Sequence, residues 1–140
     1  MSFRKLLQSK IHRAVITCAD LEYEGSLTLP PELMAAAGIA PYEAVNIWNV
    51  TRGTRVETYA ITGQASSLEI CANGAAAHHM RPGDVVIIAT FAYLPVRKIL
   101  RHKPRLVFVD AENRVTYVGS EVPGPERRGP TFTSPAVIQP

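Results

Sequence analysis

Gly25-Ser26 is a dipeptide whose residue types allow the chain to cut itself. A serine hydroxyl can attack the carbonyl carbon of the preceding residue when the backbone is bent, and glycine tolerates the strained dihedral angles that this requires. The attack converts the amide into an ester. Elimination across the Cα–Cβ bond then leaves dehydroalanine, which hydrolyses to a pyruvoyl group and ammonia. The alternative is an ordinary Gly-Ser turn, and the same pair recurs at Gly119-Ser120.

Three side chains on or beside candidate strands could act on a small acid. Tyr59 carries a phenol, a group that is protonated at neutral pH and can donate a proton without tuning. Arg55 offers a planar fork for a carboxylate, and Lys10 offers a point charge. Each has an ordinary alternative, with Tyr59 packed against its strand neighbours and the two cations as surface charges of strands.

The segment Asn73-Gly74-Ala75-Ala76 directly precedes or opens a predicted short helix. Free N–H groups at a helix start favour an anion, and the small side chains allow its close approach. The alternative is an ordinary Asn-Gly turn that caps the helix.

Other common kinds of site find no support in the residue spacing. The histidines lack the spacing of metal ligands, and we expect no metal site. The chain has no GxGxxG motif, no P-loop and no GxSxG motif, so neither nucleotide binding nor a hydrolase triad is indicated. The four histidines are His12, His78, His79 and His102.

Short strands dominate the chain that must position these residues. Thr51-Arg52-Gly53-Thr54 is typical of a hairpin turn, with glycine where a positive φ is needed. Val85–Ala89 is continuously apolar, as expected for a strand buried on both faces. The predicted strands are residues 11–19, 26–29, 44–50, 55–62, 68–72, 85–89, 105–109 and 114–118.

Two short helices interrupt the strands. Pro31–Ala37 starts with proline, has Glu32 in its first turn and stops at Gly38. Ala75–His79 follows an Asn-Gly pair and stops before Arg81-Pro82-Gly83-Asp84. Many short strands with two small helices predict a mainly β fold closed into a small barrel, since closure removes free sheet edges.

The length of 140 residues indicates one domain. Hydrophobic residues make up 46% and charged residues 19%, which is typical of a globular core. Residues 119–140 contain five prolines and three glycines, which predicts a flexible tail behind a domain of residues 1–118. A domain this small cannot form a deep cleft between lobes. An active site would therefore be shallow, shared between subunits, or carried by an unusual chemical group.

Charge, cysteines and the N-terminus indicate where the protein works. The net charge is +3, and residues 97–105 hold five of the fifteen lysines and arginines, so this segment is either solvated or faces an anionic partner. Cys18 and Cys71 are expected to be free thiols in a reducing compartment. The N-terminus lacks an apolar signal region, and the longest apolar run, Val85–Leu94, is half of the ~20 residues that a membrane helix needs. We expect a cytoplasmic protein with no membrane partner.

Three separated segments resemble the pyruvoyl-dependent aspartate 1-decarboxylases, small bacterial enzymes of pantothenate synthesis with a double-psi β-barrel fold. The segments are QSKIHRAVITCADLEYEGSLTLP (8–30), NIWNVTRGTRVETYAIT (46–62) and NGAAAHHMRPGDVVII (73–88), in the family's order. The resemblance extends over about residues 3–118. The chain departs from the family at Gln64-Ala65-Ser66-Ser67, which lacks a usual glycine, and in its long tail, and neither departure touches the chemical residues.

The resemblance implies decarboxylation of L-aspartate to β-alanine and CO2 by a self-made pyruvoyl group, with no metal and no pyridoxal phosphate. Cleavage between Gly25 and Ser26 would convert Ser26 into this group, which forms a Schiff base with the substrate amine. Tyr59 matches the family's proton donor. Thr58 is implied in processing and in substrate contact, although alternation along a regular strand puts Thr58 and Tyr59 on opposite faces.

The resemblance also implies a substrate site and an assembly. The family forms homotetramers with active sites between subunits, and a maturation factor is an additional candidate partner. Arg55, helped by Lys10, is expected to hold a substrate carboxylate. The implied substrate-binding residues are Lys10, Arg55, Thr58, Asn73, Gly74, Ala75 and Ala76, with His12, Tyr23 and Trp48 lining the site.

Two other functions compete with the enzyme. Small double-psi barrels can bind DNA or partner proteins, and the basic segment 97–105 would be the contact. The chain could also be an inert homologue that folds but never processes. Salt-dependent DNA binding would favour the former, and an unsplit, inactive chain would favour the latter. The enzyme is favoured by the presence of the complete set Gly25-Ser26, Arg55, Thr58, Tyr59 and Asn73. We therefore expect that the protein has no nucleic-acid partner.

Overall fold

A computed structural model describes residues 1–124 of the chain, and residues 125–140 lie outside the described part. The one α-helix of the described residues, α1, is Pro31–Ala37, and two 3-10 helices are Gly74–His79 and Val96–Arg101. None of these helices is long and apolar enough to cross a membrane. The strands are β1 (Phe3–Val15), β2 (Cys18–Asp20), β3 (Ser26–Leu29), β4 (Ala44–Asn49), β5 (Arg55–Thr62), β6 (Cys71–Asn73), β7 (Val85–Pro95), β8 (Arg105–Val109) and β9 (Val115–Gly119).

The described strands form a single mixed sheet in the order β2-β6-β3-β5-β4-β7-β1-β8-β9. Three pairs are parallel, namely β1 with β8, β2 with β6 and β3 with β5, and the others are antiparallel. The sheet surrounds a core of fully buried aliphatic side chains. Its largest members include Ile11, Leu27, Ile47, Ile70 and Ile88. The prediction of a mainly β fold with short helices is confirmed, and the sheet is consistent with a small β-barrel.

Elements with strong local signals lie where the sequence predicts them. Strands β4 and β5 form the expected antiparallel hairpin, and Gly53 in its turn has a φ of +78°. Helix α1 begins at Pro31 and ends against Gly38, whose left-handed conformation lets its N–H bond to the carbonyls of the last turn.

Elements that depend on distant pairing differ from the prediction. The expected strand at 11–19 is divided between β1 and β2, because the N–H groups of Ile16 and Thr17 bond to carbonyls of residues 84 and 70 instead of continuing one ladder. Strand β1 starts at Phe3 and β7 continues to Pro95, because these two segments pair with each other. The expected strand at 68–72 is replaced by the shorter and later β6, which shares only Cys71 and Ala72 with it. The basic segment 97–105 lies largely in a 3-10 helix.

The predicted domain boundary falls at the last residues of β9. The strand ends at Gly119, and residues 120–124 of the predicted tail carry no helix or strand. The remainder of that tail, residues 125–140, lies outside the described residues.

Cys18 and Cys71 face each other in the register of β2 and β6, and both thiols are free. Burial, followed by a hydrogen bond between the Cys71 thiol and Cys18, raises the pKa of Cys71 to about 12. Cys71 is therefore a neutral thiol at physiological pH and packs as a small apolar side chain.

A buried carboxylate, Asp84, joins the β4–β5 turn to the start of β7. Its Oδ2 accepts hydrogen bonds from Asn49 Nδ2 at 2.9 Å, from Arg52 Nε at 2.6 Å and from the Arg81 N–H at 3.0 Å. Burial alone raises the pKa of Asp84, but these hydrogen bonds outweigh it and hold the pKa below its ordinary value. The ionised form is thus the one that stabilises the fold.

The Asp84→Asn variant is expected to lose about 1–3 kcal/mol of unfolding free energy at pH 7, because three donors lose a charged acceptor. Since the folded pKa lies below the unfolded one, this stabilisation is present above the unfolded pKa and is lost as pH falls through the folded pKa. Urea unfolding at neutral and acidic pH measures it. A difference from wild type that stays constant down to acidic pH would contradict the assignment.

Candidate active site

Ser26 is the first residue of β3 and is almost fully buried, with 2% of its surface exposed. The antiparallel register of β3 and β6 puts Asn73 directly opposite it. Asn73 Nδ2 donates a hydrogen bond to Ser26 Oγ at 3.0 Å, and the Ser26 hydroxyl donates to the Glu24 carbonyl at 3.4 Å. The hydroxyl is therefore held by its neighbours rather than left to solvent.

The Asn73 side chain does not cap the helix that follows it. It makes no cap hydrogen bond to the 3-10 helix Gly74–His79 and instead donates to Ser26 Oγ and to Thr28 Oγ1, each at 3.0 Å. The ordinary alternative for Asn73, a capping side chain, is thus wrong. The amide is directed at the Ser26 hydroxyl and at the next residue on the same face of β3.

Gly74 lies directly against the segment that would be cleaved. Its φ is +64°, and a Cβ on Gly74 would lie 2.7 Å from both N and Cα of Gly25 and 2.9 Å from the Tyr23 carbonyl oxygen. A Cβ on Gly25, in contrast, would meet only the Asn73 carbonyl at 3.9 Å. Packing therefore requires glycine at position 74, where it lets residues 23–25 approach β6.

A cavity of about 370 Å³ opens beside Ser26. Tyr59 and Ile61, two residues apart on β5, line it together, as alternation along a strand requires. The described residues that line it are Tyr23, Glu24, Ser26, Pro41, Tyr42, Tyr59, Ile61 and Thr62. The structure thus brings Ser26, Tyr23 and Tyr59 to one space.

Tyr59 is 39% exposed, and its ring centroid lies 6.3 Å from that of Tyr42. Thr58, the preceding residue of β5, is half-buried and is not among the described residues that line the cavity. Within one chain, therefore, Thr58 does not join Tyr59 at the cavity, as strand alternation anticipates.

The predicted cations lie elsewhere in the chain. No lysine or arginine is found among the cavity-lining residues of the described range 1–124. Lys10 donates to Glu121 Oε1 at 3.0 Å, and the Arg55 guanidinium lies 5.1 Å from the ring centroid of Trp48, its cross-strand partner. His12 contacts the ring of Phe108 at a centroid distance of 5.4 Å. Lys10, His12, Trp48 and Arg55 are thus not brought to the Ser26 cavity of the same chain.

Ala75 and Ala76 lie in the 3-10 helix that follows Asn73, with Ala75 exposed and Ala76 buried. No three or more His, Cys, Asp or Glu side chains within residues 1–124 are grouped so that they could hold a metal ion.

Two neighbours of the site escaped the sequence analysis. Thr28 shares the face of β3 with Ser26, so period-two alternation could have identified it as a second partner of Asn73. Tyr42 has a φ of +70° in the turn before β4, a conformation that is unusual for tyrosine and that no local sequence signal announces.

Comparisons with known proteins agree on one family. The model of the aspartate decarboxylase family matches residues 2–116. The aspartate 1-decarboxylase of Rhodopirellula baltica is 59% identical over 126 residues, covering 90% of this chain and 81% of its own length. That of Legionella pneumophila is 55% identical over 130 residues, covering 93% and 98%. That of Syntrophotalea carbinolica is 57% identical over 121 residues, covering 86% and 92%.

Proposed function

The chain belongs to the aspartate decarboxylase family, and from this premise we propose that it decarboxylates L-aspartate to β-alanine through a pyruvoyl group made from its own Ser26. As a family member it is a carbon–carbon lyase that releases CO2 from aspartate. The observation that carries the mechanism is the buried Ser26 hydroxyl, held by Asn73 at the edge of a cavity that Tyr59 also lines.

Self-cleavage begins at Ser26 and consumes one water molecule. Oγ attacks the carbonyl carbon of Gly25, the C–N bond breaks, and the freed nitrogen takes a proton, which leaves an ester. Loss of the Ser26 Cα proton then breaks the Cβ–O bond and releases the Gly25 carboxylate. Water hydrolyses the resulting dehydroalanine to the pyruvoyl group and ammonia. The Asn73 amide positions the nucleophile, because its N–H already donates to Oγ and fixes the hydroxyl beside the Gly25–Ser26 bond.

The residues around position 26 fit a pyruvoyl group. The donor of Asn73 points at the reacting position, and the small Gly74 keeps the backbone of residues 23–25 close to it. The Ser26 cavity adjoins this position, so a small amino acid can reach it from solvent. When formed, the ketone condenses with the substrate amine and withdraws electrons as CO2 leaves.

Tyr59 holds the proton that replaces the departing carboxylate on the substrate Cα. Its side chain lines the same cavity as Ser26, and a phenol is protonated at neutral pH. Thr58 assists processing and contacts the substrate. Because Thr58 does not line the Ser26 cavity of its own chain, this second role falls at a site shared with a neighbouring subunit.

Substrate carboxylates are held by Arg55 and Lys10. Neither lines the Ser26 cavity of its own chain, which supports sites completed by a second copy in a homotetramer. Large apolar side chains available for such contacts are exposed on the single chain, including Phe3, Tyr93 and Leu100. The cations hold the side-chain carboxylate and leave the α-carboxylate less stabilised, because a strongly paired leaving group would resist loss of CO2.

The Tyr59→Phe variant is expected to cleave normally but to lose at least about a hundredfold in kcat, the usual contribution of a positioned proton donor. Denaturing electrophoresis measures cleavage, and β-alanine formation measures turnover. Tyr42→Phe is the matched control, since it removes a hydroxyl from a ring lining the same cavity and should change kcat little. Near-normal turnover by Tyr59→Phe would remove Tyr59 as the donor.

The function itself is tested by incubating the purified chain with L-aspartate and following CO2 and β-alanine. Borohydride added with aspartate should attach the substrate to residue 26 of the larger fragment. Label on a lysine instead would indicate another source of the carbonyl group.

We place the product in pantothenate synthesis in the cytoplasm, where the free thiols of Cys18 and Cys71 remain reduced.

A further inference from the structure

One of the two cations proposed to bind substrate, Lys10, is already bound to a carboxylate of the same chain, that of Glu121 after the last strand. Lys10 Nζ donates to Glu121 Oε1 at 3.0 Å, and the two side chains are 19% and 57% exposed. Lys10 lies on β1, which pairs with β8, and β8 pairs with β9. Glu121 lies two residues after the end of β9, and the pairing of these strands places it beside Lys10.

Arg55 provides the contrast. Its guanidinium lies over the ring of Trp48, a contact that leaves the N–H edge of the fork available to a carboxylate. No ion pair within residues 1–124 involves Arg55. One candidate cation is therefore free to bind an acid, whereas the other is engaged with an acid of its own chain.

We propose that Glu121 competes with the substrate carboxylate for Lys10 and thereby lowers the apparent affinity for aspartate. This rests on the proposed role of Lys10 in substrate binding. The two ligands offer the same anionic group to one ammonium, and two carboxylates held against it repel each other, so binding of one disfavours binding of the other. Glu121 is more than half exposed, which allows it to leave, and an exposed ion pair is weak enough for substrate to replace. Glu121 thus sets the KM rather than blocking the site.

Glu121 lies beyond the residues that the family model matches. The family model ends at residue 116, five positions before Glu121. The segment after β9 therefore adjusts the affinity for substrate, and it does not alter the residues that take part in cleavage at Ser26.

The Glu121→Gln variant tests the proposal in the full-length, processed enzyme. It should lower the KM for aspartate about two- to fivefold, the factor that corresponds to an exposed ion pair, while kcat and the extent of cleavage stay unchanged. Succinate, an unreactive dicarboxylate, should inhibit the variant with an inhibition constant lowered by a similar factor. Glu112→Gln is the matched control, because it removes the same charge from an exposed side chain that faces Arg114. A KM that is unchanged, raised, or lowered equally by Glu112→Gln would overturn the proposal.

Lys10→Ala separates this proposal from the one on which it rests. If Lys10 binds substrate, Lys10→Ala raises the KM, and adding Glu121→Gln to it has no further effect. If Lys10→Ala raises the KM but Glu121→Gln alone does not lower it, only the competition is wrong. If Lys10→Ala leaves the KM unchanged, the role of Lys10 in the proposed function fails as well.

Discussion

Ser26→Ala is expected to yield a single uncleaved chain of 140 residues with no detectable decarboxylase activity. Without Oγ the Gly25 carbonyl has no internal nucleophile, and without cleavage there is no ketone to activate the substrate amine. Denaturing mass spectrometry measures the first effect and β-alanine formation the second. The loss should be complete, because one atom serves both steps.

The chain supplies its own control for this variant. Gly119-Ser120 is the same dipeptide at the end of β9, and Ser120 is exposed. Ser120→Ala should cleave and turn over like wild type, since its hydroxyl is not buried against a directed amide. Measurable decarboxylation by Ser26→Ala would refute the role of Ser26, whatever the state of the chain.

Gly74→Ala is the second change for which we expect a large effect. The new Cβ would lie 2.7 Å from backbone atoms of Gly25, so residues 23–25 must move away from β6. The positive φ of Gly74 adds the strain of a left-handed alanine. Cleavage should slow at least about tenfold, and stability should fall by about 2–5 kcal/mol. A cleavage time course and urea unfolding measure the two effects.

Gly83→Ala separates the strain from the clash. Gly83 also has a positive φ, at +95°, but a Cβ there would meet no atom within 4 Å. This variant should lose only about 1–2 kcal/mol and should cleave at the normal rate. Equal effects of the two substitutions on cleavage would show that the contact between Gly74 and Gly25 does not position the cleavage segment.

Local chemistry determines which parts of this fold can be predicted from sequence. The β4–β5 hairpin and α1 are predictable because their turn, first residue and stop signal lie within a few positions of each other. The first half of β1 is not, because Arg4 and Lys5 are exposed and its strand state depends on pairing with β7, some ninety residues away. Hydrophobic alternation is weak where neither face of a strand is buried.

The same distinction applies to the site. The candidate nucleophile could be identified from the Gly-Ser pair, but the contact between Ser26 and Asn73 comes from the register of β3 and β6, which no local pattern specifies. The engagement of Lys10 by Glu121 joins residues 111 positions apart and is likewise invisible in the sequence. The residue types of a site can thus be read from sequence, whereas its partners depend on tertiary pairing.

The central claim, that the chain manufactures its own catalytic ketone, is tested most directly by the intact mass of the mature wild-type protein under denaturing conditions. The account predicts two fragments, residues 1–25 and residues 26–140, with the larger one lacking a free N-terminal amine. An unbroken chain that decarboxylates aspartate at full rate would contradict it.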